Sequence, residues 1–413
     1  MNMINDKKKA ARFILLLTSA YMVSYVARID YGAVISEMVR AEQLSKSALS
    51  VALTGSFVSY GLGQIISGFF GDRIQPKKLV FGGFAVTACM NLLIVFCKNP
   101  VQTAVVWTVN GMAQAFMWPP MVRLMSELLT PEDYRRACVV VSWGSSAGTV
   151  LVYLISPLLI SLSGWRAVFV FAAAAAALMA CLWTVCCPKV SAAPKCGAGS
   201  GSRAGICPLI NFPMLSVMVG IILMGVLRDG VTTWMPSLVS ESFGIAEEIS
   251  ILSGVLLPLF GMVCFAGASS LYRRVFRDPV TCAGVIFAAG FAAALVLVFI
   301  VGKNAAVSVL SSALLTGCMH GVNLMLICMV PQYFAKYGNV SLISGILNSG
   351  TYIGSALSAY GTAAVTEAGG WGVTAAVWAV CCAVGTVLLL TCAKSWRAKY
   401  DTPVPASEER LCE

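Results

Sequence analysis

The chain has 413 residues, of which 58% are apolar (Ala, Val, Ile, Leu, Met, Phe, Trp, Tyr or Cys) and only 11% are charged. A soluble protein carries about 25% charged residues and about 45–50% apolar ones. So few charges could not cover the surfaces of soluble domains of this total length. The composition therefore indicates a polytopic membrane protein and excludes a soluble enzyme. Basic residues exceed acidic ones by 10, and their placement explains that excess below.

Cysteine is abundant, at 16 residues, but it does not form a disulfide framework. Most cysteines lie within apolar runs, and there is no C-x-x-C motif. Cys186-Cys187 and Cys381-Cys382 are adjacent pairs, which suit neither ordinary disulfides nor zinc. We interpret the cysteines as small apolar helix residues.

Runs of about 20 mostly apolar residues, separated by charges, Pro and Gly, predict twelve membrane-spanning helices. The first run follows Lys7-Lys8-Lys9 and has no clear cleavage site, so it is predicted as a span rather than a signal peptide. The predicted limits are 11–33, 48–70, 79–97, 102–126, 136–161, 166–187, 212–238, 248–271, 279–302, 306–334, 340–364 and 371–393.

One long polar interruption divides the spans into two sets of six. Residues 188–211 contain three prolines, a Gly/Ser run and three basic residues, and we predict that they form a cytoplasmic central loop. The expected domains are an N-terminal six-helix bundle over 1–187 and a C-terminal six-helix bundle with a short cytoplasmic tail over 212–413.

The basic residues sort by side of the membrane. With the N-terminus in the cytoplasm, 20 of the 28 basic residues fall on the cytoplasmic side, 5 on the opposite side and 3 inside spans. This asymmetry is what the positive-inside rule requires. We therefore expect both termini to be cytoplasmic, and nucleic acid is not needed to explain the net charge.

The two halves repeat at an offset near 200 residues. The equivalent positions are Arg28 and Arg228, Gly68 and Gly267, and Gly164-Trp165 and Gly370-Trp371. Two tandem halves of the same orientation are a transporter architecture, with the substrate site near the middle of the membrane where the repeats meet. Channels and membrane enzymes are seldom built in this way.

The segment after the second span reads Gly68-Phe69-Phe70-Gly71-Asp72-Arg73-Ile74-Gln75-Pro76-Lys77-Lys78. It resembles the G-x-x-x-D-R-x-x-x-[RK]-[RK] signature of the major facilitator superfamily. Gly68 would allow close helix approach, and Asp72 can cap a neighbouring helix or pair with a basic group as the halves move. The alternative is a short solvated loop that simply obeys the positive-inside rule.

Three arginines fall inside spans, where ionisable side chains are functional candidates by default. Arg28 and Arg228 occupy equivalent positions of the two halves, and the planar fork of Arg suits a phosphate or carboxylate. Two such side chains converging from opposite halves would hold a dianion. The alternative is a structural ion pair with Asp229 or Asp30. Arg123 is expected to be structural, pairing with Glu127 at i,i+4.

A closer resemblance follows from Arg28 after Tyr25, Tyr60-Gly61, Trp118-Pro119-Pro120 and Arg228 before Trp234-x-Pro236. These residues resemble the organophosphate:phosphate antiporter family, which includes bacterial glycerol-3-phosphate and hexose-phosphate transporters. The resemblance runs over nearly the whole chain. It implies that Arg28 and Arg228 bind phosphate, that Tyr25, Tyr60 and Tyr352 line the cleft with Trp118, and that substrate is exchanged against inorganic phosphate by alternating access.

The sequence departs from that family at three cleft positions. A family histidine falls at Ser145 or Ser146, depending on one gap, and a lysine of the glycerol-phosphate carriers is Gln64. The single histidine, His320, occupies a tyrosine position. We expect either that it hydrogen-bonds a neighbouring helix or that it is a cleft group that titrates near neutral pH.

Asp30 and Asp229 are a further departure, because each is close in sequence to one of the two arginines. At about 100° per residue, Asp30 is turned about 200° from Arg28 and Asp229 about 100° from Arg228, so neither pair is expected to share a face. The cross-helix pairs Arg28–Asp229 and Arg228–Asp30 stay open. If both acids line the cleft, the formal charge of the cleft falls from +2 to zero. The expected substrate is then a monocarboxylate or a sugar acid, and an Asp or His320 would carry a proton.

The sequence thus predicts an all-helical membrane protein with the major facilitator fold, acting as a secondary transporter of a small organic anion. The first choice is an organophosphate exchanged for phosphate. The alternatives are a proton-coupled carrier of organic acids or other small solutes, and a transporter-like sugar-phosphate sensor, which would lie beside a kinase gene. Termini of only about 10 and 20 residues favour the carrier. We expect a monomer in the cell membrane, with no enzymatic activity, cofactor or metal.

Overall fold

The computed structural model describes residues 4, 6–42, 46–188, 211–244, 256–337 and 340–401. These residues form long helices joined by short connections. The helices are α1 (Lys7–Glu42), α2 (Lys46–Gly71), α3 (Pro76–Leu93), α4 (Pro100–Ala115), α5 (Trp118–Leu128), α6 (Pro131–Ser163), α7 (Arg166–Cys186), α8 (Phe212–Phe243), α9 (Leu256–Arg274), α10 (Pro279–Ile300), α11 (Ala305–Asn323) and α12 (Val340–Trp396). Between α11 and α12 the chain continues through a π-helical segment, Leu324–Met329, and a 3₁₀ segment, Val330–Tyr337.

Nine helices in the described part of the chain are long and apolar enough to cross a membrane. The predicted spans outside that set are 48–70, 102–126 and 340–364. The second of these is divided, because α4 ends at Ala115 and α5 begins at Trp118, ahead of two consecutive prolines. The other two are helical and lie in α2 and in the first part of α12. Residues 248–255 of the eighth predicted span and most of the predicted central loop lie outside the described residues.

Several helix starts follow directly from the sequence. Asn99, Thr130 and Asp278 each precede a proline, and each accepts a backbone N–H of the first turn with its side chain. Such an acceptor at the N-cap satisfies a donor that the helix itself cannot, and proline suits the first helical position. These caps fix where α4, α6 and α10 begin.

The chain divides into two units. Unit 1 comprises Met1–Ala192 with Gly338–Tyr352, and unit 2 comprises Ala193–Tyr337 with Ile353–Glu413. The first division falls within the predicted central loop. The beginning of α12 belongs to unit 1, and the remainder of that helix belongs to unit 2.

The sequence repeat has a structural counterpart at the Gly-Trp corner that opens the last helix of each half. Gly164 has φ 76° and ψ 176°, and Gly370 has φ 74° and ψ −179°. A positive φ with an extended ψ is accessible essentially to glycine alone. The same strained corner therefore recurs in both units, and in unit 2 it produces the kink within α12.

The repeat extends to an acidic residue at the end of the first helix of each half. In unit 1 the Glu42 carboxylate pairs with Arg166 Nη2 at 2.8 Å. In unit 2 the Glu241 carboxylate accepts a hydrogen bond from Trp371 Nε1, also at 2.8 Å. Each acid thus ties the first helix of its half to the Gly-Trp corner.

Candidate functional site

In unit 1, Arg28 lies on α1 among tyrosine side chains. Its guanidinium carbon is 4.4 Å from the ring centroids of both Tyr25 and Tyr60, within cation–π distance. Its Nη1 donates a hydrogen bond to the Tyr352 hydroxyl at 3.1 Å. Its Nε is buried without a hydrogen-bond partner, and no ion pair within the described residues includes Arg28. The arrangement holds a cation inside a helical unit with donor capacity to spare, which suits an anion.

Further aromatic contacts hold this cluster in place. The rings of Tyr60 and Tyr352 lie 4.5 Å apart. Tyr21 contacts both Tyr25, at 5.0 Å, and Trp118, at 4.8 Å. The sequence analysis did not identify Tyr21. Its spacing of four residues before Tyr25 and seven before Arg28 puts all three on one face of α1, and that pattern is the signal that could have identified it.

Of the two polar departures in unit 1, Gln64 joins neighbouring helices and Ser145 bonds within its own helix. Gln64 is fully buried, donates to the Ala115 carbonyl at 3.3 Å and accepts from Asn348 Nδ2 at 3.0 Å. The Ser145 hydroxyl donates to the Ser142 carbonyl of its own helix at 2.7 Å. The sequence analysis did not identify Asn348, which is the hydrogen-bond donor to the Gln64 amide oxygen.

Arg228, the equivalent arginine of unit 2, is paired with the residue next to it. Nε lies 2.6 Å from Asp229 Oδ1, and Nη2 lies 3.0 Å from Oδ2. An ion pair with Asp229 was the structural alternative in the sequence analysis, and it is found at Arg228, although helical rotation was expected to keep these two side chains off one face. Their Cβ atoms diverge by about 100°, but the long Arg stem reaches around the helix to form a bidentate pair. Ser355 Oγ also donates to Asp229, and Arg228 Nη1 contacts Asn323 Oδ1 at 3.5 Å.

His320 lies one turn before Asn323 in unit 2. Its Nδ1 is 2.9 Å from the Thr316 carbonyl of the same helix, and the centroids of its ring and of the Phe265 ring lie 5.4 Å apart in a T-shaped arrangement. The sequence analysis expected a hydrogen bond from His320 to a neighbouring helix. The bond of Nδ1 is instead made within the helix that carries His320. A carbonyl four residues earlier takes its place, because a histidine ring folds back readily along its own helix.

Asp30 is fully buried in unit 1 and is not paired with Arg28. One of its oxygens, Oδ1, accepts the Tyr31 backbone N–H at 2.8 Å. This agrees with the helical geometry, which turns the two side chains apart. Arg28 and Arg228 belong to different units, and their convergence on one anion stays a prediction.

The motif after α2 is built around Asp72. Its two oxygens accept the backbone N–H groups of Ser341 and Leu342 at 3.0 and 2.8 Å, which caps the start of α12 as expected. Burial raises the pKa of Asp72 to about 6, and the two N–H donors oppose that shift. A Cβ added to Gly68 would lie 2.7 Å from the Ser341 carbonyl, which confirms the expected close approach at Gly68.

Two arginines support this motif. Arg73 is exposed, lies 3.3 Å above the Phe69 ring and donates to the Phe69 carbonyl at 2.9 Å. Arg123 pairs with Glu127 at 2.6 Å, as predicted, and also donates to the Gly71 carbonyl at 2.5 Å. The Arg123 guanidinium thus ties α5 to the end of α2.

Comparisons with known proteins agree on the family. The Major Facilitator Superfamily model matches residues 15–330. A probable hexose phosphate transport protein of Chlamydia pneumoniae is 24% identical over 146 residues, which is 35% of this chain and 32% of that protein. This match therefore covers about a third of the relative's length. The membrane sensor protein UhpC of Salmonella typhimurium is 21% identical over 399 residues, covering 91% of this chain and 90% of that protein.

Solved structures share the fold. The proton:xylose symporter XylE, bound to 6-bromo-6-deoxy-D-glucose, superposes with a TM-score of 0.76 at 11% identity, covering 93% of this chain and 96% of that one. Identity this low speaks for the fold alone. Taken with the family match over most of the chain, it identifies this protein as a member of the Major Facilitator Superfamily, with the twelve-helix membrane fold of that superfamily.

Proposed function

We propose that this protein moves a small organic anion across the cell membrane by alternating access and that Arg28 binds the anionic group. The first choice of substrate is an organophosphate, such as a sugar phosphate or glycerol phosphate, exchanged for inorganic phosphate. The relatives named as hexose phosphate transport proteins support this class of substrate. The basic asymmetry of the sequence supports cytoplasmic termini.

The observation that carries the proposal is the state of Arg28. A permanently charged guanidinium in the interior of a membrane protein requires a partner, because burying an unpaired charge is costly. Here the partners are tyrosine rings and one hydroxyl, and these leave the positive charge in place. A phosphate or carboxylate would complete the site with two parallel charge-assisted hydrogen bonds.

The Arg228–Asp229 pair favours a second candidate. Because Asp229 neutralises Arg228, the candidate arginines and Asp229 together carry one net positive charge rather than two. A single positive charge matches a carboxylate or a phosphate monoanion better than a dianion. A proton-coupled carrier of organic acids is therefore the alternative within transport.

A sensor is the alternative outside transport. The match to UhpC, a protein named as a membrane sensor, spans nearly all of both chains. A sensor would bind the same anion at Arg28 but would show little flux. Binding and flux must therefore be measured separately.

A ligand-stabilisation screen of the purified protein tests the substrate class. Inorganic phosphate, glycerol 3-phosphate, glucose 6-phosphate and lactate would be compared by the shift of the thermal unfolding midpoint. An organophosphate:phosphate exchanger should be stabilised by inorganic phosphate and by one of the two phosphate esters. Stabilisation by lactate alone would support the organic-acid carrier, and stabilisation by none of the anions would contradict the proposed function.

Counterflow in proteoliposomes then separates the mechanisms for an anion that binds. Exchange that requires phosphate on the opposite side indicates antiport. Uptake that follows an imposed pH gradient without phosphate indicates proton symport. Binding without either flux indicates a sensor.

A further inference from the structure

A small cavity of about 270 Å³ lies in unit 2, between the connection that joins α9 to α10 and the end of α12. Its lining consists of Val275, Phe276, Arg277, Asp278, Thr281 and Arg397. Arg277 comes from the α9–α10 connection, and Arg397 begins a π-helical turn, Arg397–Asp401, directly after α12. Two arginines that are 120 positions apart in the chain thus line one cavity.

The acidic residue of the lining, Asp278, does not pair with either arginine. Its carboxylate accepts two backbone N–H groups of the first turn of α10, at 3.1 and 3.0 Å, and the Thr281 hydroxyl. Among the residues that the structure describes, neither Arg277 nor Arg397 belongs to an ion pair. Arg397 Nε contacts the Ala393 carbonyl at 3.5 Å, which leaves the two terminal nitrogens of that guanidinium as donors. The two arginines therefore keep their charge for a ligand.

The charge of the lining selects a monoanion. Two guanidinium groups and one carboxylate give one net positive charge. A phosphodiester carries one negative charge, whereas a phosphate monoester carries about −1.5 to −2 at pH 7. The planar fork of Arg donates parallel hydrogen bonds to two oxygens of a phosphate group. The lining thus matches a phosphodiester.

The cavity lies at the level of the lipid headgroups. The helices α9 and α10 are both long and apolar enough to cross a membrane, and their connection is short, so the connection lies at the membrane surface. The predicted topology places it on the cytoplasmic side, where anionic lipids attract basic residues. The volume is at the small end of ligand pockets, which measure about 300–1,000 Å³. It suits a headgroup rather than a whole lipid.

An apolar surface continues from the cavity along the helices. Val275, in the lining, is exposed. Leu390 lies about two helical turns before Arg397 and is also exposed. It packs beside α10, since a Cβ added to Gly284 would lie 2.8 Å from the Leu390 side chain. The seam between α10 and α12 therefore offers an apolar path for acyl chains.

We propose that Arg277 and Arg397 bind the phosphodiester of an anionic phospholipid, such as phosphatidylglycerol, whose acyl chains lie along the seam between α10 and α12. A zwitterionic phospholipid fits less well, because its ammonium group would lie beside two arginines. The site goes beyond the proposed function, because it is built from unit 2 alone and does not depend on which anion the protein carries.

The test is the thermal unfolding midpoint of the purified full chain in detergent micelles, with phosphatidylglycerol or phosphatidylcholine of the same acyl chains added stepwise. The proposal expects a saturable rise of the midpoint with phosphatidylglycerol that phosphatidylcholine does not produce. The double variant Arg277→Gln/Arg397→Gln should raise the half-saturating mole fraction of phosphatidylglycerol by about tenfold or more, because charge-assisted hydrogen bonds are lost. Both side chains are exposed, so the fold should survive these substitutions.

Arg273→Gln/Arg274→Gln is the matched control. These two arginines are exposed in the last turn of α9, carry the same charge and lie outside the lining of the cavity. The control should keep the lipid dependence of the wild type. An equal loss in both double variants would assign the effect to general surface charge and overturn the site. Equal stabilisation of the wild type by the two lipids would also overturn it.

Inorganic phosphate separates a lipid headgroup from a soluble anion. The proposed function assigns stabilisation by phosphate to Arg28, so Arg277→Gln/Arg397→Gln should keep it. Loss of that stabilisation in the double variant, without a difference between the two lipids, would assign the cavity to soluble phosphate and overturn the lipid site. A wild type that responds to phosphatidylglycerol but to no soluble anion would support the lipid site and contradict only the proposed function.

Discussion

Asp72 caps α12 by accepting the backbone N–H of Leu342 at 2.8 Å with Oδ2. Its other oxygen accepts the N–H of Ser341. A carboxylate at a helix N-terminus also interacts favourably with the positive end of the helix dipole. The contact joins residues 269 and 270 positions apart in the chain, and both partners belong to unit 1.

Asp72→Asn should slow transport strongly while leaving insertion and anion binding intact. The substitution removes the charge that holds the start of α12, and it leaves the Arg28 cluster untouched. Counterflow in proteoliposomes and a ligand-stabilisation assay measure the two effects. Asp133→Asn, at another capped helix start, is the control and should leave both unchanged. Loss of binding with unimpaired translocation would show that the motif has been misread.

The stability of the protein should depend on pH through Asp72. The pKa of its buried carboxyl is raised to about 6, above the value of about 3.9 for an unfolded Asp. The native state therefore binds this proton more tightly, and the associated stability is full below about pH 4 and is lost as the pH rises through 6. Between pH 5 and pH 7 the loss is about 1 kcal/mol. Thermal unfolding at the two pH values should show this loss in the wild type relative to Asp72→Asn. Equal pH dependence in the two proteins would contradict it.

Gly68 and Gly267 are equivalent in the repeat, but they should respond differently to alanine. A Cβ at Gly68 would lie 2.7 Å from the Ser341 carbonyl and 3.0 Å from Leu342 Cα, so the backbone would have to move. Overpacking of this kind costs about 1–3 kcal/mol. At Gly267 a Cβ would meet nothing within 4 Å. Gly68→Ala should lower the unfolding midpoint, and Gly267→Ala should not. Equal shifts would show that the contact at Gly68 is not tight.

The sequence predicted best where the physical rule is local. The i,i+4 spacing of Arg123 and Glu127 led directly to their ion pair, and the Gly-Trp repeat predicted equivalent corners at Gly164 and Gly370. The burial of Asp30 away from Arg28 also follows from helical rotation.

Sequence reasoning failed where side-chain reach and tertiary packing decide. Rotation alone suggested that Arg228 and Asp229 would not pair, yet the Arg stem is long enough to reach its neighbour. The Gln64 amide oxygen accepts a hydrogen bond from Asn348, which lies 284 residues away in the chain. Nothing in the local pattern indicates that partner, because it depends on how α12 packs in unit 1.

The predicted topology places residues 195 and 399 in the cytoplasm. In a background stripped of native cysteines, Lys195→Cys and Lys399→Cys should not react with an impermeant thiol reagent added outside cells. Lys303→Cys is the matched control and should react, because Lys303 belongs to the small basic set on the opposite side. Efficient labelling of residue 195 or 399 would overturn the twelve-span count.

Asp229 should set the preferred charge of the anion. Asp229→Asn removes the carboxylate that pairs with Arg228, and it restores a second positive charge to the candidate site. The variant should bind phosphate dianions more tightly relative to lactate than the wild type does. The ratio of the two affinities at a pH above the second phosphate pKa measures this effect. An unchanged ratio would show that Arg228 does not contact the substrate.

The central claim is that Arg28 binds the anion, and its most direct test is anion binding by the wild type and by Arg28→Lys. Lysine keeps the charge but loses the planar fork. Loss of a charge-assisted hydrogen bond costs about 1.5–3 kcal/mol, so affinity should fall at least tenfold. Arg228→Lys, measured beside it, tests the second arginine in the same way. If Arg28→Lys binds phosphate, glycerol 3-phosphate, glucose 6-phosphate and lactate as the wild type does, Arg28 is not the anion site and the proposed function falls with it.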